Sequence, residues 1–279
     1  MKKDNLAILL VTHNRGELLD KVLEKISSFN WKYDQFVLIN NASTDSTEEV
    51  IARYREKLGL NIIHSGENVG HGAGIALGLE YLLRGDHPDW IVFMEDDSIP
   101  EQNYLDFLIQ KIEGSPYAMI SSKGSIGSMG RRAQVKPLDE ETIEVDFALL
   151  DGAIAKFDDL ISVGLPVRDW FMMFDDFEYC FRIRKSGFQI GVCSNPNIQI
   201  LHRGWGGGNN NSSKWRAYYQ SRNFIHFVRL HFSVEVLFDF TRKAIDWWCI
   251  LQKWIGINEI STDGNSSWNK RQEREVIEY

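Results

Sequence analysis

Apolar residues follow two rhythms along this chain. The near-continuous runs LAILLV (6–11), QFVLIN (35–40) and WIVFM (90–94) offer no polar face, the pattern of strands covered on both sides, and LNIIHS (60–65) reads as a further strand. Between them the period lengthens. Leu18, Leu19, Val22, Leu23 and Ile26 recur at helical spacing, which predicts an amphipathic helix. NASTDSTEEVIARYREKL opens on the N-cap residue types Ser43, Thr44, Asp45 and Ser46 with acids after them, a helix start. NVGHGAGIALGLEYLLRG predicts a glycine-rich turn entering a third helix. Strand and helix alternate, so the expected fold is α/β: a mainly parallel sheet of βαβ units flanked by helices.

Ligands in such sheets bind at the carboxyl ends of the strands. The polar clusters Thr12–Asn14, Asn40–Asp45, Asn68–Gly72 and Glu95–Asp97 all fall at such ends, so a single shared site is expected. Beyond Pro100 a helix is predicted to about Ile112, and IEVDFALLDGAIAKF reads as two strands or a strand and turn. DDFEYCFRIRKSGF (175–188) reads as a helix stopped by Gly187, QIGVCSNPNIQILHR as strand, and the chain from Lys214 onward as helix. SSKGSIGSMGRRAQ (121–134) is expected to be a mobile loop whose Arg131 and Arg132 close over a ligand; a plain surface loop is the equal alternative.

Composition narrows the classes. The 279 residues are 43% hydrophobic and 25% charged, ordinary globular values. The net charge of −8 argues against general nucleic-acid binding. The charge is uneven: residues 1–202 carry 20 Lys/Arg against 31 Asp/Glu, and residues 203–256 carry 8 against 3. Three well-separated cysteines, Cys180, Cys193 and Cys249, suit a reducing compartment rather than a disulfide framework. LAILLV is too short to span a bilayer and has no small-residue cleavage site.

The candidate chemistry is acidic. Glu95, Asp96 and Asp97 end an apolar run. Such crowding is tolerated in water or around a hard divalent cation that also takes phosphate oxygens. Asp175, Asp176 and Glu178 follow three bulky apolar residues at a helix start. There they act either as capping charge or as a carboxylate with a raised pKa that serves as a base. His202 ends a strand-like run and is a metal-ligand candidate. The glycines of NVGHGAG serve either phosphate binding or close helix packing.

In order, VTHNRGELLDKVLEKI, LINNASTDSTEEVI, NVGHGAGIALGLEYLL, FMEDDSIP, FDDFEYCFRIRKSG and YYQSRNFIHFVR resemble the family 2 glycosyltransferases with the GT-A fold. Within the family the set is most similar to bacterial galactofuranosyl- and rhamnosyltransferases of surface polysaccharide synthesis. FDDFEY followed by LHRGW leans to the galactofuranosyl side. The resemblance implies that Thr12, Asn14, Arg15, Asn40, Asn41, Asn68, Gly70, His71, Gly72, Glu95 and Asp96 bind the donor. Asn40 stands where the family commonly writes an acid that meets the nucleobase. It implies Asp97 and His202 as ligands of Mn²⁺ or Mg²⁺, Asp176 as the catalytic base, and Asp175 and Glu178 as groups positioning the acceptor or the base.

The expected protein is an inverting, metal-dependent enzyme that moves a sugar, UDP-galactofuranose first, onto a glycan or polyprenyl-linked glycan. The rivals are a dTDP-rhamnose transferase, a catalytically silent nucleotide- or glycan-binding module, and a nucleotidyltransferase on a related scaffold. A catalytic domain is expected over 1–213. A helical region with a polar tail is expected over 214–279, contacting acceptor, membrane or a second subunit. The expected location is cytoplasmic, peripheral on the inner face of the membrane.

Overall fold

The computed structural model describes residues 5–128, 131–135, 137, 141–194, 198–200 and 213–255. Its first half follows the two rhythms of the sequence closely. Strand β1 (Leu6–Thr12) leads to helix α1 (Gly16–Ser27), β2 (Gln35–Asn40) to α2 (Thr47–Leu58), and β3 (Leu60–His64) to α3 (His71–Arg84). Then come β4 (Trp90–Glu95), β5 (Ser98–Pro100), α4 (Tyr104–Ile112) and β6 (Tyr117–Ser121). The order continues with β7 (Gly124–Ser128), β8 (Arg131–Val135), β9 (Thr142–Val145), β10 (Phe147–Ala148), β11 (Ile154–Lys156) and α5 (Phe157–Val163). A single 3-10 turn, Arg168–Trp170, precedes α6 (Asp175–Lys185), β12 (Gln189–Cys193), β13 (Ile198–Ile200), α7 (Ser213–Leu230) and α8 (Val234–Ile255).

The main sheet has eight strands in the order β3-β2-β1-β4-β11-β6-β12-β9. β3, β2, β1 and β4 are mutually parallel, β11 runs antiparallel to both its neighbours, and β12 is parallel to β6. Because successive side chains of a strand point to opposite faces, β1 feeds two cores. Ala7 and Leu9 face α3, α6 and α7, while Leu6, Ile8 and Leu10 face α1, α2 and α4. A sheet covered on both faces explains why its strands have no polar rhythm.

The mobile loop expected at 121–134 is corrected. β7 and β8 form an antiparallel hairpin, joined by β10 into a separate three-stranded sheet. Its glycine serves clearance rather than freedom: a Cβ on Gly124 would lie 2.6 Å from both the Phe147 carbonyl oxygen and a Val192 methyl. The side chains of Arg131 and Arg132 lie outside the described residues. Helix α7 is seated in the core on one face of the main sheet, with Phe224 and Phe227 buried among residues of β1, α3 and α6. α8 anchors through Val236 and leaves Leu237, Phe238, Ile245 and Trp248 exposed. Among the described residues no helix is long and apolar enough to cross a membrane. Cys180 and Cys193 are buried free thiols.

Candidate active site

Three carboxyl ends of the parallel strands converge as expected. Thr12 ends β1, Asn40 ends β2 and Glu95 ends β4. The acids that follow β4 are buried at Asp96 and Asp97. Their repulsion is relieved by one cation of the chain: an Arg15 guanidinium nitrogen donates to Asp96 Oδ1 at 2.9 Å and to Asp97 Oδ2 at 2.7 Å. Thr12 Oγ1 donates to the other oxygen of Asp96 at 2.7 Å. Asp96 is thereby held on both oxygens. Burial still pushes its pKa up, with Arg15 and Thr12 opposing.

Glu95, Asp97 and Asp151 form a group with one oxygen of each within 4.8 Å of the others. Ser98 Oγ donates to Asp151 Oδ2 at 2.8 Å, but the buried Oδ1 of Asp151 has no hydrogen-bond partner among the described residues. Burial, then the charges of Asp151, Asp97 and Asp176, push Glu95 up to about 8 despite the opposing charge of His71. Asp151 escaped the sequence reading. Its signal was an acid enclosed by apolar and small residues in LLDGAIA.

A second group joins His71, Asp175 and Asp176. His71 Nδ1 lies 2.8 Å from Asp175 Oδ2, and His71 Nε2 is 3.7 Å from Glu95. Burial would push the imidazole down, but the hydrogen bond and charge of Asp175, with Glu95 and Asp176 behind it, hold it at about 10. Burial likewise acts upward on Asp175, yet its bond to His71 holds it below the usual carboxylate range. Asp176 receives no such pairing. Among the described residues its buried Oδ1 has no hydrogen-bond partner; burial, then the charge of Asp175, push it up to about 7, with His71 and the Leu150 amide opposing.

The remaining expected residues divide by what already occupies them. Asn41 is a buried bracket. Its amide nitrogen donates to Asn68 Oδ1 and the Gly70 carbonyl, each at 3.1 Å, and its oxygen accepts from Val69 N and Ser65 Oγ, each at 3.0 Å. Asn40 has both ends of its amide engaged in the β2–α2 turn, donating to Glu48 and accepting from Ser43 N. Asn14 Oδ1 accepts from Thr44 N at 2.7 Å. Gly70 sits at φ +85°, and a Cβ there would collide with the Phe171 carbonyl. The next residue's amide, His71 N, donates to that same carbonyl at 2.9 Å. Gly72 faces Asp175. Glu178 is turned to structural work: Arg182 donates to both its oxygens, at 2.6 and 2.9 Å, and His231 Nε2 lies 3.0 Å from Oε1. His202 lies outside the described residues.

Backbone strain is concentrated here. The positive-φ residues other than glycine are Asn14, Ala42, Phe171, Met173 and Phe174 among the described residues. Each flanks the strand ends or leads into α6. Such conformations cost on the order of 1–3 kcal/mol each and gather at functional sites.

Comparison with known proteins bears on the family and the fold. The model of the family described as "Glycosyl transferase family 2" matches residues 7–176. The galactofuranosyltransferase GlfT1 of Mycolicibacterium smegmatis is 24% identical over 205 residues, 66% of this chain and 67% of that protein. The low-salt glycan biosynthesis hexosyltransferase Agl10 of Haloferax volcanii is 21% identical over 208 residues, 68% of this chain and 65% of that protein. Among solved structures, GalNAc-T7 with UDP, GalNAc and Mn²⁺ aligns with a TM-score of 0.67 at 11% identity, over 84% of this chain and 49% of that one. The Pyrobaculum calidifontis mannosyltransferase with GDP-Man and Mn²⁺ aligns at 0.57 and 17%, over 82% of this chain and 65% of that one. The chain thus spans less than two thirds of several of these proteins. The fold is GT-A, and with the family model covering more than half of its length the chain is a glycosyltransferase belonging to glycosyl transferase family 2.

Proposed function

We propose that this protein is an inverting, metal-dependent transferase that moves a sugar from a nucleoside diphosphate donor to a hydroxyl of a glycan or lipid-linked glycan, with Asp176 as base. The observation that carries the reading is the contrast between two adjacent carboxylates. Asp175 is paired with His71 and held low, a poor proton acceptor. Asp176 is half-buried and pushed up to about 7, and its buried Oδ1 has no hydrogen-bond partner among the described residues, the properties of a base tuned to neutral pH. In the reaction the acceptor O–H gives its proton to Asp176. Its oxygen bonds the anomeric carbon while the carbon–oxygen bond to the diphosphate breaks, and the nucleoside diphosphate leaves. Inversion follows because attack and departure are on opposite faces of the sugar.

The donor set fits a hard cation. Asp97, Glu95 and Asp151 offer carboxylate oxygens, and the buried Oδ1 of Asp151 has no hydrogen-bond partner among the described residues. These residues would hold Mn²⁺ or Mg²⁺ together with donor phosphates, and His202 is proposed as a further ligand. A divalent ion there supplies Lewis acidity to the leaving diphosphate. Arg15, shared between Asp96 and Asp97, offsets part of their negative charge. UDP-galactofuranose is the favoured donor, supported by the similarity to GlfT1.

The test is transfer or donor hydrolysis with a panel of nucleotide sugars, in chelator and with metal restored. Loss in EDTA and recovery with Mn²⁺ or Mg²⁺ are expected; full activity in chelator refutes the metal requirement. Asp176→Asn should retain nucleotide binding while turnover falls by roughly 10²-fold or more. Wild-type kcat/KM should rise with pH through about 7 as Asp176 loses its proton. Competition between UDP and dTDP decides the nucleotide, and preference for dTDP would move the assignment to a rhamnosyl donor.

A further inference from the structure

The turn that leads into α6 is held in place from α7, a helix distant in sequence. Residues 171–174 contain three positive-φ backbones, at Phe171, Met173 and Phe174, and none of them is glycine. A chain left alone would relax out of that shape. Two elements oppose the relaxation. On one side, Gly70 and His71 at the start of α3 press on the Phe171 carbonyl. On the other side stands Asn223, fully buried. Its single amide nitrogen lies 2.9 Å from the Trp170 carbonyl, 2.7 Å from that of Met172 and 2.8 Å from that of Met173.

The amide cannot rotate out of that role. Arg222 Nε donates to Asn223 Oδ1 at 2.9 Å, which fixes the nitrogen toward the turn. The same guanidinium donates to the Trp170 carbonyl at 2.8 Å and to that of Asp169 at 3.2 Å. Phe171 stacks on Tyr219 with ring centroids 5.0 Å apart, and Arg222 lies over that ring at 4.7 Å. One turn of α7 therefore grips the carbonyls and the side chain of the segment that ends in Asp175 and Asp176.

We propose that Asn223, oriented by Arg222, is a positioning residue for the transfer reaction: it holds the 171–174 turn in its strained form and so sets the aim of Asp175 toward His71 and of Asp176 toward the acceptor. The reactive part of this inference rests on Asp176 being the base. Asn223 touches no reacting atom. Its side chain is matched to the task because the same short group must accept from Arg222 and donate to backbone carbonyls. An aspartate of the same size would present a second acceptor to three acceptors.

The experiment compares Asn223→Asp, Arg222→Ala and Asp176→Asn with the wild type in the full chain. Four quantities are read: kcat, donor KM, UDP affinity by calorimetry, and hydrogen–deuterium exchange of residues 171–176 against the strands of the main sheet. For Asn223→Asp, kcat should fall roughly 10- to 100-fold, the scale of a misaimed group, with donor KM and UDP affinity within about twofold. Exchange across 171–176 should speed up while the main sheet keeps its protection. Arg222→Ala should move both readouts in the same direction by less. A folded Asn223→Asp with wild-type kcat and unchanged exchange overturns the proposal. So does a uniform loss of protection with kcat and KM degraded together, which marks a general structural role. If Asn223→Asp does not fold, Asn223→Ser, which keeps a donor but withdraws it from the turn, carries the same expectations. Wild-type turnover in Asp176→Asn would refute the base assignment instead, and the exchange readout of Asn223→Asp would still decide whether α7 holds the turn.

Discussion

Adjacent acids in this protein differ because each buried carboxylate is defined by its own partners. Asp176 has a pKa raised by burial and by Asp175, so the folded state binds its proton more tightly than the unfolded chain does. Stability is then lost as pH rises from the ordinary carboxylate range through about 7. Asp176→Asn, which cannot ionise, should raise the melting temperature of metal-free protein at pH 8 and change it little at pH 4, read by calorimetry. An unchanged or lower melting temperature at pH 8 would mean that the ionised carboxylate is well solvated. Glu178 has the opposite sign. Burial acts upward on it, but the hydrogen bonds of His231 and Arg182 outweigh that and hold it low. Its contribution is present above the usual glutamate pKa and lost as pH falls through the lower folded value. Glu178→Ala leaves Arg182 facing an empty site, though that guanidinium still donates to the carbonyls of Val163 and Leu165. A loss of about 3 kcal/mol at pH 7 is expected by denaturant titration, the low end for breaking a buried pair. The loss should shrink on acidification. A constant deficit from pH 7 to pH 3 would show that the side chain acts by packing alone.

At the scale of elements, what the sequence made legible was whatever a local period encodes. β1, β2 and β4 are unbroken apolar runs because the sheet is covered on both faces, and the polar residues at their ends could only mark the rim. Elements defined by clearance were illegible. Gly124 and its neighbouring serines read as a flexible loop, yet the glycine lies against the Phe147 carbonyl and Val192 in a paired strand. Gly124→Ala should therefore cost about 1–3 kcal/mol, the range for overpacking a fitted site, measured by urea unfolding; an unaltered midpoint would return the segment to a loop. Partnerships between distant residues were equally hidden. His71 belongs by sequence to a glycine-rich turn, but its imidazole meets Asp175, 104 positions away. Asn223 lies in a stretch that the sequence marks only as helical, and only the fold brings its amide to three carbonyls near α6. Chemistry was legible as residue type at a strand end; which carboxylate is paired and which is left open was not.

Across the whole molecule, the two last helices part company. α7 is committed inward through Asn223, Phe224 and Phe227. The stretch from its end through α8 turns apolar groups outward: Leu230, Phe232, Val234, Phe238, Ile245 and Trp248 are each at least 58% exposed. Arg229, Arg242 and Lys243 lie among them in the same stretch. Aromatic and aliphatic groups beside cations suit the interface of an anionic bilayer, with the apolar groups at the acyl boundary and the cations at phosphate level. Such an attachment would carry the active site to a lipid-linked acceptor without a spanning helix. The full chain should sediment with vesicles containing anionic lipid and less so with neutral ones, and added salt should weaken binding through the charge component. The full-length variant Phe232→Ser, Phe238→Ser, Trp248→Ser should lose most of that binding while keeping nucleotide affinity and turnover on a soluble acceptor, because all three side chains are at least 60% exposed. If wild type fails to sediment with vesicles but is a dimer that this variant dissociates, the face is a subunit contact. Equal pelleting of wild type and variant would remove the membrane role from these three side chains.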